Sequence, residues 1–268
     1  MAVFECNFNS YCRGRPASIT VVIPTGNWEE FGYTEEMEAS MRRVAPDDFS
    51  STLPFVPLWR RIRTGDHTPR FPFPVLYLLC GAMDDRRAWQ YRTQAVLFCE
   101  EQKIALVLVD PEGAEWYMDR DYEFLAHEVP QFVCGMFPVS PRPEDRYLAG
   151  YSRGAGGVVH HMLKQPNGFG AVGIISGSIT FFEDDPVAMT RHFFSEGKKL
   201  PPIYMAAGAH DRSGERLRWY RDLLRQNGAV VTCEEIQEYD HGYRLCNAAL
   251  ERFLRWLPRT DDYSAVLR

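Results

Sequence analysis

From residue 75 onward the chain alternates between short apolar runs and segments whose apolar positions recur every three or four residues. The runs at 75–79, 104–109, 146–149, 171–176, 203–207 and 230–238 read as strands. They are near-continuously apolar rather than alternating, which is the pattern of strands buried on both faces. That predicts a mostly parallel central sheet with helices on both faces. The segment 213–226 sets Leu217, Tyr220, Leu223 and Leu224 at helical spacing and stops at Asn227-Gly228. The last helix, 247–256, groups Leu250, Phe253, Leu254 and Trp256 in the same way. Ahead of this α/β region, 4–9 and 18–23 read as N-terminal antiparallel strands joined through Ser10 to Arg15.

Two stretches break the pattern. Between 27 and 73 it dissolves into turns, prolines and mixed charge, with Phe31, Tyr33, Met37, Met41, Phe55 and Trp59 scattered through it. So long an irregular stretch reads either as a lid over a site or as a surface for self-association, making a homo-oligomer. A second stretch, 180–202, falls between two strands where a small cap would sit. The expected organisation is one domain over 1–268 carrying these two insertions.

A chain of 268 residues can bury one large core, and 45% apolar with 25% charged residues is ordinary for a globular protein. The net charge of −6 argues against a nucleic-acid-binding surface. The first residues lack the basic and apolar segments of a secretion signal, and no run approaches the ~18 apolar residues of a membrane helix, so a cytoplasmic protein with no membrane partner is expected. Seven cysteines without Cys-x-x-Cys spacing indicate neither a disulfide framework nor a zinc site.

The chemistry concentrates at Gly150-Tyr151-Ser152-Arg153-Gly154, where strand 147–149 runs straight into helix 153–165, ended by Pro166-Asn167-Gly168. This is the pattern of a nucleophile elbow, in which a tight turn exposes a strained serine. An inert serine would leave Gly150, Gly154, Gly156 and Gly157 unexplained, since a glycine inside a helix costs about 1 kcal/mol. A serine nucleophile needs a base, and the base needs an orienting carboxylate. His210-Asp211 follows the strand 203–207, and Asp240-His241 follows 230–238. The chain order Ser152, Asp211, His241 puts all three at the carboxyl ends of strands, on the edge where open α/β sheets bind ligands. His210 as base, or Asp240 or Asp110 as acid, are the competing assignments; His160 and His161 lie a helix away and read as structural. Oxyanion donors are expected from the backbone N–H groups of Arg153 and of Ala82, which follows Cys80-Gly81. Trp116 and Tyr117 either line the acyl or alcohol pocket or belong to the core. With no dinucleotide fingerprint and no clustered ligand spacing, neither cofactor nor metal is expected.

These residues, together with Phe4-Glu5-Cys6-Asn7-Phe8-Asn9-Ser10, Gly14-Arg15, the strand 75–79, Glu128-Val129-Pro130, Glu144-Asp145-Arg146 and the stretch from Ala248 to Leu254, resemble the esterase D, or "putative esterase", branch of the α/β-hydrolases, nearest the small bacterial tributyrin-type esterases. The resemblance implies an α/β-hydrolase fold and a serine carboxylesterase for short acyl esters, with Ser152 as nucleophile, His241 as base and Asp211 as orienting acid. Relatives include S-formylglutathione hydrolases, feruloyl esterases and mycolyl-transferring enzymes. An acyltransferase or thioesterase with the same triad is therefore the alternative, ahead of a non-catalytic binding protein. Two departures stand out: Cys80-Gly81 where the family usually has His-Gly, and Arg153 where a methionine is common after the serine.

Overall fold

The computed structural model describes residues 1–25, 69, 71–111, 117, 120–177 and 186–266. The chain divides into two units. One comprises Ala2–Pro24 and Phe71–Arg268 and contains the sheet, its helices and every candidate site residue. The other comprises Met1 with Thr25–Arg70, nearly all of which lies outside the described residues, as do the lid or association roles expected of 27–73.

The larger unit is built on an eight-stranded sheet in the order β1-β2-β4-β3-β5-β6-β7-β8. The strands are β1 (Ala2–Ser10), β2 (Arg15–Ile23), β3 (Val75–Leu79), β4 (Ala105–Val109), β5 (Arg146–Tyr151), β6 (Ala171–Ile175), β7 (Ile203–Gly208) and β8 (Val231–Ile236). β1 and β2 are antiparallel to each other, β2 is antiparallel to β4, and every later pairing is parallel. The principal helices are α1 (Ala88–Arg92), α2 (Ala95–Glu101), α3 (Val129–Met136), α4 (Arg153–Lys164), α5 (Pro186–Ser195), α6 (Gly214–Gln226) and α7 (Tyr243–Trp256). This is the α/β-hydrolase fold expected from the sequence.

The continuous apolar runs are explained by burial on both faces. Along β3, Tyr77 and Leu79 enter one core cluster with Val158 and Met162 of α4 and Leu217, Tyr220 and Leu224 of α6. Leu76 and Leu78 enter the other, with Trp89 of α1, Phe98 of α2 and Leu250 and Phe253 of α7. Each fully buried side chain of this kind contributes about 1.5–3 kcal/mol, so both helical layers are fixed to the sheet by the same strands.

Local differences from the sequence reading have simple causes. The last residues of the expected first insertion belong to the core: Phe73 bridges to Val139 and stacks on Tyr263, ring centroids 4.8 Å apart. The second insertion contains α5, with Thr190 buried and hydrogen-bonded to Tyr220, while 180–185 lie outside the described residues. The helix expected at 247–256 starts at Tyr243, because Tyr243 continues the apolar stripe by packing edge-on to Trp89, and a short further helix, Asp262–Val266, follows it. At the N-terminal hairpin the Glu128 carboxylate accepts hydrogen bonds from Ser10 Oγ and from the N–H groups of Tyr11 and Cys12. Gly14 closes that turn at φ +64°, a conformation glycine adopts without strain. All seven cysteines are unpaired thiols. Among the described residues no helix is long and apolar enough to cross a membrane.

Candidate active site

The parallel strands β5, β6, β7 and β8 deliver their carboxyl ends side by side, and each end carries a polar side chain. β5 stops at Tyr151, and Ser152 turns the chain with φ +55° and ψ −114° before α4 begins at Arg153. The turn is possible only because two glycines let backbones touch. A Cβ on Gly150 would lie 2.4 Å from the Gly154 carbonyl, and one on Gly154 would lie 2.5 Å from the Leu79 oxygen and 2.6 Å from the Cys80 oxygen. The start of α4 is thereby seated directly on the end of β3, beside Gly81 and Ala82.

Ser152 Oγ lies 3.1 Å from His241 Nε2. On the far side of the ring, His241 Nδ1 is 3.5 Å from Asp211 Oδ1 and 2.6 Å from Ser176 Oγ. Asp211 is buried; it accepts the Ser213 N–H at 2.8 Å and a hydrogen bond from Ser176 Oγ. Burial opposes its ionisation, but the nearby His241 imidazole and hydrogen bonds from Ser176 and Ser213 prevail and hold the carboxyl well below the usual carboxylate range. The loops carrying acid and base are stapled together by backbone bonds, Ala209 N–H to Ile236 O at 3.0 Å and His210 N–H to Tyr239 O at 3.0 Å. The His241 ring packs against Tyr151 at 4.9 Å, and Tyr151 against Tyr243 at 5.3 Å.

The competing assignments are occupied elsewhere. Asp110 binds the Arg86 N–H and guanidinium, within a network that includes Glu5. His210 and Asp240 are exposed and line an open hollow with Tyr239, Tyr243 and Arg244. Ala82 is exposed at the end of β3, and Arg153 occupies the first position of α4, where backbone N–H groups point out of the helix start. A Cβ on the intervening Gly81 would come within 3.5 Å of the Ser152 Cβ, so the loop adjoins the serine.

Tyr117 does not face this cleft, which corrects its reading as a pocket residue. It is fully buried, at φ +73°, and every polar group it owns is engaged. Its hydroxyl donates to Val109 O at 3.0 Å and accepts the Cys80 N–H at 3.1 Å, while its N–H reaches Asp121 and its carbonyl accepts from His161 Nε2 at 2.8 Å. Asp121 in turn pairs with Arg13 of the N-terminal hairpin at 2.6 Å. Tyr117 thus props the end of β3 from below. The Cys80 thiol joins it, 3.3 Å from the Tyr117 hydroxyl and 3.5 Å from the Asp84 carbonyl oxygen, and burial pushes that thiol up to about 12, so it stays protonated. Trp116 lies outside the described residues.

His161 ties the fold to pH. Burial lowers its pKa to about 3 from 6.5, so the folded protein holds it neutral where the unfolded chain would protonate it. Between about pH 6.5 and 3 the unfolded state binds the extra proton, and stability falls as pH falls, with a limiting slope of about 1.4 kcal/mol per unit. Above that window the contribution is fully present. His161→Gln keeps a donor for Tyr117 and removes the titration, so urea midpoints measured at pH 4.5 and pH 7 should differ less in the variant than in the parent. Equal differences in both proteins would refute the assignment.

Comparison with known proteins bears on family and fold. Residues 65–256 match the family model described as putative esterase. An acetyl esterase from Caldicellulosiruptor saccharolyticus is 23% identical over 227 residues, which cover 70% of this chain and 84% of that protein. Among solved structures, the substrate-bound fluorophosphonate-binding serine hydrolase F of Staphylococcus aureus superposes with a TM-score of 0.73 at 20% identity, covering 96% of this chain and 98% of the other. S-formylglutathione hydrolase from Staphylococcus aureus gives 0.71 at 18% identity, covering 96% of each chain. A ferulic acid esterase from Anaeromyces mucronatus in complex with ferulic acid gives 0.67 at 17% identity, covering 96% and 90%. At these identities the structural likeness establishes the fold.

Proposed function

We infer, from the premise that this chain belongs to the putative esterase family, that it is a serine carboxylesterase acting on short-chain acyl esters. The observation that carries this is the strained Ser152, whose Oγ lies 3.1 Å from the imidazole of His241. Strain of this kind, about 1–3 kcal/mol, persists where surrounding structure enforces it, and here it exposes the one atom that must reach a substrate carbonyl.

In the proposed reaction His241 Nε2 takes the Ser152 proton as Oγ attacks the ester carbonyl carbon. The developing oxyanion is met by the backbone N–H groups of Ala82 and Arg153, whose positions the β3–α4 contact fixes relative to each other. His241 then returns the proton to the departing alkoxide, leaving an acyl-enzyme. Water attacks that ester with His241 again accepting the proton, and collapse of the second tetrahedral intermediate restores Ser152. Asp211, ionised throughout, stabilises the imidazolium formed in each half-reaction.

The acetyl esterase relative supports the short-chain preference. The test is labelling of Ser152 by a fluorophosphonate, followed by turnover of p-nitrophenyl acetate, butyrate and octanoate, each with and without an acceptor alcohol. S-formylglutathione serves as the thioester arm. Labelling with fastest turnover of acetate or butyrate to free acid is expected. Ester products in the presence of alcohol would assign an acyltransferase, faster thioester cleavage a thioesterase, and no labelling would remove the serine-enzyme reading altogether.

A further inference from the structure

β5, β6, β7 and β8 each end in a polar side chain at the site, and the proposed chemistry uses only three of these four side chains. The fourth is Ser176, immediately after β6. It is fully buried and holds φ +50°, an unfavourable conformation for a residue with a Cβ. Its backbone is pinned by the same ladder that pins the nucleophile: Ser152 N–H bonds to Ile175 O at 3.1 Å and Ser176 N–H to Ala206 O at 2.7 Å. Among the described residues, Ser176 is the side chain hydrogen-bonded to both Asp211 and His241.

We propose that Ser176 is a positioning residue whose hydroxyl bridges Asp211 to His241, so that the acid acts on the base through it; this rests on the reading of Ser152, His241 and Asp211 as a triad. Donor and acceptor chemistry sets the direction of each hydrogen bond. An ionised Asp211 can only accept, so the single Ser176 proton goes to Asp211 Oδ2. Ser176 Oγ then has lone pairs left, and it accepts from His241 Nδ1 at 2.6 Å, with Ser213 Oγ 3.3 Å away as a second neighbour. The direct separation of Nδ1 and Asp211 Oδ1, 3.5 Å, is too long for a good hydrogen bond. The bridge therefore selects the Nδ1–H tautomer and turns the Nε2 lone pair toward Ser152. No proton passes through Ser176: the Ser152 proton moves to Nε2, and Ser176 keeps its own. The other titratable groups around the imidazole are the Tyr151 ring, the adjoining Asp240, and, behind Tyr151, Tyr243 with its hydrogen bond to Asp84. Their contacts with the site are through ring faces and the chain, whereas Nδ1 points at Ser176 and Asp211.

The test uses Ser176→Ala and Ser176→Gly in the full chain. Both delete the hydroxyl, while glycine also adopts φ +50° without strain, so a folded variant remains if alanine destabilises the turn. The first readout is kcat and KM for p-nitrophenyl acetate. We expect kcat to fall roughly ten- to hundredfold, the range of one hydrogen bond to a charged partner, with KM changed less than about twofold. The second is an NMR titration of 13C-labelled His241 without substrate. Loss of the Nδ1 acceptor destabilises the imidazolium, so the midpoint should move to lower pH in both variants. An unchanged or raised midpoint overturns the bridge, as does full retention of kcat; lowered kcat with an unmoved midpoint means packing alone, and also overturns it. The titration needs no turnover. If the parent resisted fluorophosphonate, the esterase reading would fail while the His241 midpoint still decided the role of Ser176.

Discussion

Ser152→Ala should lower ester hydrolysis by about a thousandfold or more while leaving the protein folded. The loss should be large because Ser152 Oγ is both the proposed attacking atom and the group His241 Nε2 faces at 3.1 Å. The fold survives because the hydroxyl projects from a turn instead of filling a core position, and stability should stay within about 0.5 kcal/mol. Fluorophosphonate labelling should vanish in parallel. His241→Ala should be comparably severe, whereas His210→Ala should leave turnover near that of the parent, since His210 is exposed and lines the neighbouring hollow. The decisive readout is kcat/KM on p-nitrophenyl acetate beside a thermal melt. More than about a tenth of parental activity in Ser152→Ala, or a fatal His210→Ala beside a harmless His241→Ala, would reject the assignment.

Gly154→Ala should damage both the fold and turnover. The added Cβ would sit 2.5 Å from the Leu79 oxygen and 2.6 Å from the Cys80 oxygen, and both obstacles are backbone, not flexible side-chain ends. Either α4 or the end of β3 must move, at a cost of about 3 kcal/mol. Moving them also separates the Arg153 and Ala82 N–H groups, and a displacement of about 1 Å costs roughly a hundredfold in rate. Gly135 in α3 is the control, because a Cβ there meets nothing within 4 Å. Gly135→Ala should be neutral or stabilise by up to about 1 kcal/mol. Thermal melts and kcat/KM for the two variants check this. A Gly154→Ala protein that melts and turns over like the parent would mean the elbow does not depend on this contact.

The site was legible in the chain where its determinants are local. The elbow announces itself because strand, serine, glycines and helix are contiguous, and Asp211 and His241 could be singled out as candidates because each follows a strand whose apolar run is plain. Ser176 had no such signal. It is one serine at the end of one strand, and its importance arises when β6, β7 and β8 bring it between Asp211 and His241. Tyr117 was ambiguous for a related reason. Its position after β4 points to the cleft edge, but a backbone at φ +73° sends the side chain back beneath β3. Sheet order was not legible either, since the placement of β2 beside β4 depends on contacts far apart in sequence. Asp110, the competing acid, is held by Arg86, a partner only the folded chain supplies.

The sheet gives its catalytic strands unequal protection. β3, β4, β6 and β7 are buried along their whole length, while β8 forms an edge, pairs with β7 alone, and is mostly half-buried. The proposed nucleophile and acid follow strands from the protected interior, but the proposed general base follows this edge. Local opening and amide exchange begin where burial is least. A fluctuation that frees the β8 end removes His241 from Ser152 without disturbing the elbow. If His241 is the base, molecules opened there would be native nearly everywhere yet without turnover, so activity is expected to decline with rising temperature before a thermal melt reports loss of the core.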